Sequence, residues 1–292
     1  MKDYCIRAIT TNGEIRAFAV RSTELCEEAR KRHDTYPVAT AALGRVLTMA
    51  GMMGLELQPK NLLTVRILGD GPLKAIIAAA EHGGIVRGYV GEPHVHLASK
   101  IPGKLNVGEA VGKGYLHVTK DIGLGEPYTG TVPLTSGEIA DDFTRYFIES
   151  EQIPSAISLG VLVETDNHVR AAGGYIIQLL PGAQEETIAL LEKNISSIEP
   201  VSNMVDAGMT PEEILQKVLA GFEVKVLSQH DLKFECSCSQ ERVEKALISM
   251  GAKELEDMLS KDKGAEIICH FCNDVYKFNE QELTKVYQDA KE

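Results

Sequence analysis

The sequence predicts an α+β protein: an N-terminal domain of mostly antiparallel sheet with helices, a helical linker, and a small C-terminal module that carries four cysteines. Residues 61–168 show short strand and turn patterns that do not alternate regularly with helices, which favours an antiparallel sheet. Residues 183–220 are helical in pattern and contain no strand signal. We therefore place the domain at 1–180, the linker at 181–230 and the module at 231–292.

In the N-terminal domain, residues 4–21 predict two strands joined at Asn12-Gly13, a dipeptide typical of hairpin turns. Ser22 is a candidate N-cap for a helix that reaches about Asp34. Pro37 can begin a second helix, which continues to about Leu57 through a nearly charge-free and therefore buried stretch. The remaining predicted elements are a helix begun by Ser136, Gly137–Ser150, and the strands Leu62–Leu68, Leu73–Ala80, Ile85–Val90, Tyr115–Thr119, Tyr128–Val132, Ile157–Glu164 and Val169–Leu179.

The linker begins where Pro181-Gly182 interrupts the strand pattern. Its predicted helices are short, so each is marginal in water without a partner surface. The simplest interpretation is a linker packed permanently against the first domain, and the alternative is that this packing is conditional. Two apolar stripes would make the contact: Ile188, Leu191, Ile195 and Ile198, then Ile214, Leu215, Val218 and Leu219.

The C-terminal module follows a strand predicted over 222–235 and has only about sixty residues, a size at which a metal often supplements a small core. Its predicted elements are helices Ser239–Met250 and Ala252–Leu259, a hairpin around Cys269–Phe278, and a last helix, Asn279–Lys291.

The cysteines of this module form two close pairs, Cys236-Ser-Cys238 and Cys269-His-Phe-Cys272. Two such pairs can supply four thiolates to one tetrahedral ion, for which zinc is the default. Four cysteines leave no open position for water, which disfavours a catalytic zinc. His270 in place of one cysteine is a minor alternative.

Spacing alone favours an inert structural zinc knuckle, but the Cys-x-Cys pair favours a site that can be oxidised. If the metal leaves, neighbouring thiolates can oxidise to local disulfides without a long rearrangement of the chain. Such small rings are strained and therefore reducible. The sequence thus also predicts a reversible switch whose two states differ by the folding of the module.

Composition and charge argue against several other functions. The net charge is −12, and residues 181–292 carry 22 acidic and 12 basic side chains, a net of −10, which disfavours nucleic acid and anionic membranes as partners. We expect no transmembrane helix, no signal peptide and no nucleotide-binding motif, and hence a cytoplasmic protein with reduced thiols. Cys5 and Cys26 are isolated and are expected to be buried as small apolar residues, and His94 and His96 lack a third ligand.

Several motifs resemble the 33 kDa chaperonin family, the redox-regulated heat-shock proteins of bacteria, along essentially the whole chain. The resemblance rests on the spacing of the four cysteines together with Gly71-Pro72-Leu73, Val86-Arg87-Gly88-Tyr89, Tyr128-x-Gly130-x-Val132-Pro133-Leu134, Ser150-Glu151-Gln152 and Ala172-Gly173-Gly174-Tyr175-x-x-Gln178-x-Leu180-Pro181.

This resemblance implies an ATP-independent holdase, which is not an enzyme. It implies one Zn²⁺ per chain on Cys236, Cys238, Cys269 and Cys272 in the reduced, inactive form. Oxidation would form the disulfides Cys236–Cys238 and Cys269–Cys272, release zinc and unfold the module and linker. Unfolding client proteins would then bind to apolar surface, and active members are dimeric. Two rivals remain open, a thiol-disulfide oxidoreductase and a zinc module that binds nucleic acid or a protein partner.

Overall fold

A computed structural model describes residues 1–101, 103–123 and 125–291 of the chain. The chain forms two compact units, Met1–Glu235 and Cys236–Glu292. The first unit combines helices with two sheets, and its strands pair antiparallel with one exception. The second unit combines helices with one antiparallel hairpin. The predicted α+β class is therefore confirmed.

The described elements of the first unit lie in the following order along the chain. They are β1 (Tyr4–Thr10), β2 (Ile15–Arg21), α1 (Thr23–His33), α2 (Pro37–Gly54), β3 (Leu62–Gly69), β4 (Ala75–Glu81), β5 (Ile85–Val90), α3 (Val107–Val111), β6 (Gly114–Asp121), β7 (Tyr128–Pro133), α4 (Ala140–Glu149), β8 (Ser155–Val163), β9 (Val169–Leu179), α5 (Glu185–Ser197), α6 (Val201–Asp206), α7 (Pro211–Val218), β10 (Val224–Asp231) and β11 (Lys233–Phe234).

Two sheets sandwich the charge-poor helix α2. Sheet A has the order β10-β1-β2-β9-β8, and sheet B has the order β11-β5-β4-β3-β6-β7. Helix α2 begins with Pro37 at a position where no intrahelical hydrogen bond is lost, and it packs on strands of both sheets. Its buried side chains, such as Leu43, Leu47 and Met49, join one core with the inner faces of both sheets. The hairpin between β1 and β2 turns at Gly13, whose φ of 73° suits glycine.

The other face of sheet A is covered by α5, α6 and α7, which lie within the predicted linker. Because these helices bury their apolar stripes here, the partner surface that the stripes require is the sheet itself. Thr210 and Glu213 cap α7 reciprocally, since each side chain accepts a hydrogen bond from the other residue's backbone N–H. The buried residues of this interface are Ile6, Ala8, Ile15, Ala17, Ala19, Ala171, Tyr175 and Ile177 on the sheet, and Leu191, Val201, Met204, Val205, Ile214, Leu215, Val218 and Leu219 from the covering segment.

The second unit is small. Its elements are α8 (Gln240–Met250), α9 (Ala252–Lys261), β12 (Gly264–Ile268), β13 (Val275–Asn279) and α10 (Glu280–Asp289). Between Cys236 and Lys291 the fully buried apolar core consists of Leu247, Leu255, Phe278, Leu283 and Val286. Asn279 caps α10 by accepting hydrogen bonds from two backbone amides of its first turn.

Four predicted elements need correction. The hairpin predicted around Cys269–Phe278 extends further, because its first strand, β12, begins at Gly264 and pairs with β13. Residues 222–235 form two strands in different sheets, because buried Leu232 separates β10 from β11 and β11 pairs parallel with β5. Lys74 has a φ of 61°, so β4 begins after this turn at Ala75 and not at Leu73.

Helix α4 begins at Ala140, three residues later than predicted, and Ser136 does not cap it. The carboxylate of Asp142 accepts hydrogen bonds from the backbone amides of Thr135, Ser136 and Ile139, at 2.7, 3.1 and 2.9 Å. These bonds hold the preceding residues in a loop around a buried carboxylate. The short helix α3 was not predicted, since five residues carry too little periodicity to be recognised.

Candidate metal centre

The four cysteines of the second unit lie in two short connections. Cys236 and Cys238 stand in the extended segment before α8, whose N-cap, Ser239, accepts a 3.3 Å hydrogen bond from the Arg242 amide. Cys269 and Cys272 lie in the turn between β12 and β13. There the Cys269 amide donates to the carbonyl of Asp274 at 2.9 Å, and the Asn273 amide donates to the carbonyl of Cys269 at 2.7 Å. The helix cap and the hairpin therefore shape the two halves of the site.

The sulfur atoms of these residues converge. The Sγ atoms of Cys236 and Cys269 are 3.8 Å apart, those of Cys238 and Cys272 are 3.3 Å apart, and all four lie within 4.8 Å of one another. A tetrahedral zinc with Zn–S bonds of about 2.3 Å separates its sulfurs by about 3.8 Å. None of these four cysteines is in a disulfide. The donor set and spacing therefore fit one tetrahedral ion of the zinc type.

The electrostatics of the cluster favour a cation. Burial raises the pKa of Cys236 to about 11 and also raises the pKa of Cys272. Burial acts the same way on Cys238, but hydrogen bonds from Tyr276 and the neighbouring thiols outweigh it and hold the pKa of Cys238 below its ordinary value. A thiolate at Cys238 is thus favoured, and it opposes ionisation of Cys236 and Cys272. A bound divalent cation would remove that opposition.

Two polar neighbours of the cluster were missed by the sequence analysis. The Tyr276 hydroxyl donates to Sγ of Cys238 at 3.0 Å, and Sγ of Cys272 donates to a carboxylate oxygen of Asp274 at 3.4 Å. Both residues follow Cys272 closely in the sequence, but no spacing rule marks them. Only the hairpin, which turns β13 back beside the first cysteine pair, brings Tyr276 to Cys238.

The other residues considered in the sequence lie outside this cluster. Among the described residues, the group of metal-binding side chains contains neither His270, which is exposed, nor His94 or His96. Cys5 and Cys26 are buried as expected, and burial raises the pKa of both thiols.

Two further observations bear on function. None of the helices in the described ranges is both long and apolar enough to span a bilayer. The first unit has a cavity of about 240 Å³ with apolar walls that include Phe18, Met52 and Phe147, and no cysteine lines it. The cavity therefore offers no substrate site beside a reactive thiol.

An α+β domain joined to a compact unit with a four-cysteine cluster is the architecture of a known class of chaperones. The chain belongs to the Hsp33 family, because the family model described as Hsp33 protein matches residues 3–279. The resemblance stated from the motifs is therefore confirmed.

Individual relatives match along almost their full length. The 33 kDa chaperonin of Desulforamulus reducens is 51% identical over 292 residues, which cover 100% of this chain and 99% of the relative. The 33 kDa chaperonin of Bacillus velezensis is 50% identical over 289 residues, with 99% of each chain covered. The crystal structure of the 33 kDa chaperonin (heat shock protein 33 homolog) from Thermotoga maritima superposes with a TM-score of 0.92 at 36% identity, again over 99% of each chain.

Proposed function

We propose that this protein is a redox-regulated, ATP-independent holdase of the cytoplasm. In the reduced form Cys236, Cys238, Cys269 and Cys272 hold one Zn²⁺ and the chaperone is inactive. Oxidation activates it to bind unfolding proteins as a dimer and to prevent their aggregation. One observation carries the proposal, which is the convergence within 4.8 Å of four cysteines that form no disulfide, inside a unit with a very small core.

The binding energy of a structural zinc ion exceeds the net stability that this core supplies. A structural zinc site contributes on the order of 10–16 kcal/mol of apparent binding energy. A core of the size found between Leu247 and Val286 supplies about 3–5 kcal/mol of net stability at most. Loss of the metal should therefore unfold the second unit, whose fold holds the cysteines together.

The chemical signal is oxidation of the thiols in two pairs, Cys236 with Cys238 and Cys269 with Cys272. Each disulfide forms from two thiolates with the loss of two electrons, and one molecule of peroxide accepts these electrons together with two protons from solvent to give two molecules of water. Disulfide sulfurs lack the thiolate charge that binds the ion, so the site no longer holds zinc. A reductant reverses the reaction and restores the four ligands.

The linker, about residues 181–230, would transmit this change. Its helices are held to sheet A by apolar packing, and α5, α6 and α7 have only 13, 6 and 8 residues. Helices this short are marginal without that packing. The linker continues through β10 and β11 directly into Cys236. When the linker loosens, the apolar surfaces of the helices and of the sheet become available to clients.

The test is a peroxide titration of the reduced, zinc-loaded protein that follows zinc release, free thiols and suppression of client aggregation together. We expect about one zinc per chain, and we expect its release to coincide with loss of four thiols and gain of activity. A variant with Cys5 and Cys26 both replaced by alanine should respond in the same way. If the zinc-loaded reduced protein suppressed aggregation equally well, the site would be an inert structural zinc module.

A thiol-disulfide oxidoreductase is the second candidate, because Cys238 directly precedes the N-cap of α8 and its pKa is lowered. Against it, Cys269 and Cys272 lie in a β-turn and not at the start of a helix. Turnover of a disulfide substrate by catalytic amounts of protein would favour this candidate over the holdase.

A further inference from the structure

Strand β10 is an edge strand of sheet A, and its side chains are largely exposed to solvent. In the order of sheet A its neighbour is β1, and none of its eight residues is buried. Val226 and Leu227 are 44% and 43% exposed. The strand is therefore held at the edge mainly by its backbone pairing with β1.

The register identifies which amides of β1 face β10. At one end of the ladder the Leu232 amide donates to the carbonyl of Asp3, and at the other end the Thr11 amide donates to the carbonyl of Glu223. Backbone groups of an antiparallel strand point alternately to either side. The amides of Cys5, Arg7 and Ile9 therefore face β10, whereas those of Ile6 and Ala8 face β2, with which β1 pairs without interruption.

We propose that the edge of β1, covered by β10 in this structure, is the place where an extended segment of an unfolded client pairs through its backbone. The inference rests on the proposed function, since the linker that loosens on oxidation includes most of β10. In the reduced protein β10 occupies the edge as an internal substitute for the client. Its departure leaves Cys5, Arg7 and Ile9 with unpaired backbone groups, which is the chemistry that recruits another strand.

The surroundings of this edge suit an extended polypeptide of varied sequence. Main-chain hydrogen bonds give affinity without reading side chains, which a protein that binds many unfolded chains requires. The face of sheet A that α5, α6 and α7 cover is apolar at Ile6, Ala8 and Ala17. Linker residues such as Ile214 pack on it. Once uncovered, this face would accept alternate apolar side chains of the paired segment.

Hydrogen exchange of β1 amides tests the proposal, and the strand contains its own control. We expect Cys5, Arg7 and Ile9 to be protected in the reduced protein, to exchange at least about tenfold faster after oxidation, and to regain protection when client is bound. The amides of Ile6 and Ala8 should stay protected throughout, because β2 remains their partner. If client is captured while Cys5, Arg7 and Ile9 stay unprotected, or if oxidation never exposes them, the proposal is wrong although the holdase function stands.

A competing peptide gives a second, independent measurement. A fluorescent peptide with the sequence of residues 223–232 should bind the oxidised protein, bind the reduced protein at least about tenfold more weakly, and displace client. N-methylation at Ser228 and His230 removes the amides that face β1 and should weaken binding by about tenfold per lost hydrogen bond. N-methylation at Gln229 and Asp231, whose amides point away from β1, should have little effect.

Equal effects of the two methylation patterns would contradict strand pairing at the β1 edge. Failure of the oxidised protein to suppress aggregation at all would instead remove the proposed function, and this inference would fall with it.

Discussion

The hydroxyl of Tyr276 donates a 3.0 Å hydrogen bond to Sγ of Cys238, across 38 positions of sequence. Tyr276 lies in β13, beyond the turn that holds the second cysteine pair, whereas Cys238 belongs to the first pair. The bond therefore connects the two halves of the cluster outside the cysteines themselves. Hydrogen bonds of this kind orient metal ligands and stabilise their charged form.

Replacing Tyr276 by phenylalanine removes this hydrogen bond and keeps the ring. We expect the zinc affinity of the reduced protein to fall by about tenfold or more, measured by competition with a chromophoric chelator. Tyr287→Phe is the matched control, because Tyr287 lies in α10 and packs at the margin of the small core. Equal zinc affinity in the Tyr276 and Tyr287 variants would show that the hydrogen bond does not support the site.

Replacing Cys272 by serine removes one ligand from the cluster. We expect loss of zinc binding, unfolding of the second unit and loosening of the linker, with residues 1–180 still folded and aggregation suppressed without oxidant. Circular dichroism, zinc analysis and the aggregation assay would report these changes.

The control for this variant is Cys26→Ala, which deletes a buried sulfur in the first unit. Zinc binding should be unchanged, and the first unit should lose about 1–2 kcal/mol of stability from the small cavity. A Cys272→Ser protein that retained one tightly bound zinc and a folded second unit would contradict the ligand assignment.

Replacing Thr210 by alanine removes the side-chain cap of α7, because its Oγ1 accepts the 3.3 Å hydrogen bond from the Glu213 amide. The loss of a cap costs about 1 kcal/mol, which raises the population of undocked linker about fivefold. We expect faster limited proteolysis within residues 183–220 and activation at a lower peroxide concentration. Thr210→Ser keeps the cap and should behave like the unmodified protein, so an equal effect of both variants would implicate the methyl group instead.

The buried carboxyl of Asp3 predicts a pH dependence in the first unit. Burial raises the pKa of Asp3 to about 6, although the Leu25 amide and Arg21 favour the charged form. The folded state therefore holds this proton more tightly than the unfolded state. The contribution to stability is full below about pH 4 and is lost as the pH rises through 6, by on the order of 3 kcal/mol.

Asp3→Asn should remove this part of the pH dependence. The free energy of unfolding of the reduced, zinc-loaded protein, measured with urea and circular dichroism between pH 4 and 7, would report this dependence in both proteins. If the free energy of unfolding changed with pH equally in the variant and the unmodified protein, other groups would be responsible for the pH dependence.

Much of the fold could be predicted because its signals are local. Asn12-Gly13 marked the first hairpin, and Pro37 marked the start of α2. These residues act through backbone conformation or hydrogen bonds within a few positions, so sequence spacing is sufficient to recognise them. The errors arose where burial decided the outcome, as at Asp142, whose buried carboxylate holds the preceding residues in a loop and delays α4, and at Leu232, whose burial divides the predicted strand.

The sequence by itself determined the chemistry available to this protein, since two cysteine pairs offer four soft ligands wherever the chain places them. It also carried the motifs by which the Hsp33 family is recognised. Only the tertiary structure decided that the four sulfurs converge within 4.8 Å, that Tyr276 reaches Cys238, and that β10 covers the edge of β1. Convergence, hydrogen bonding and strand pairing depend on distances between residues far apart in the chain, and those distances are set by packing.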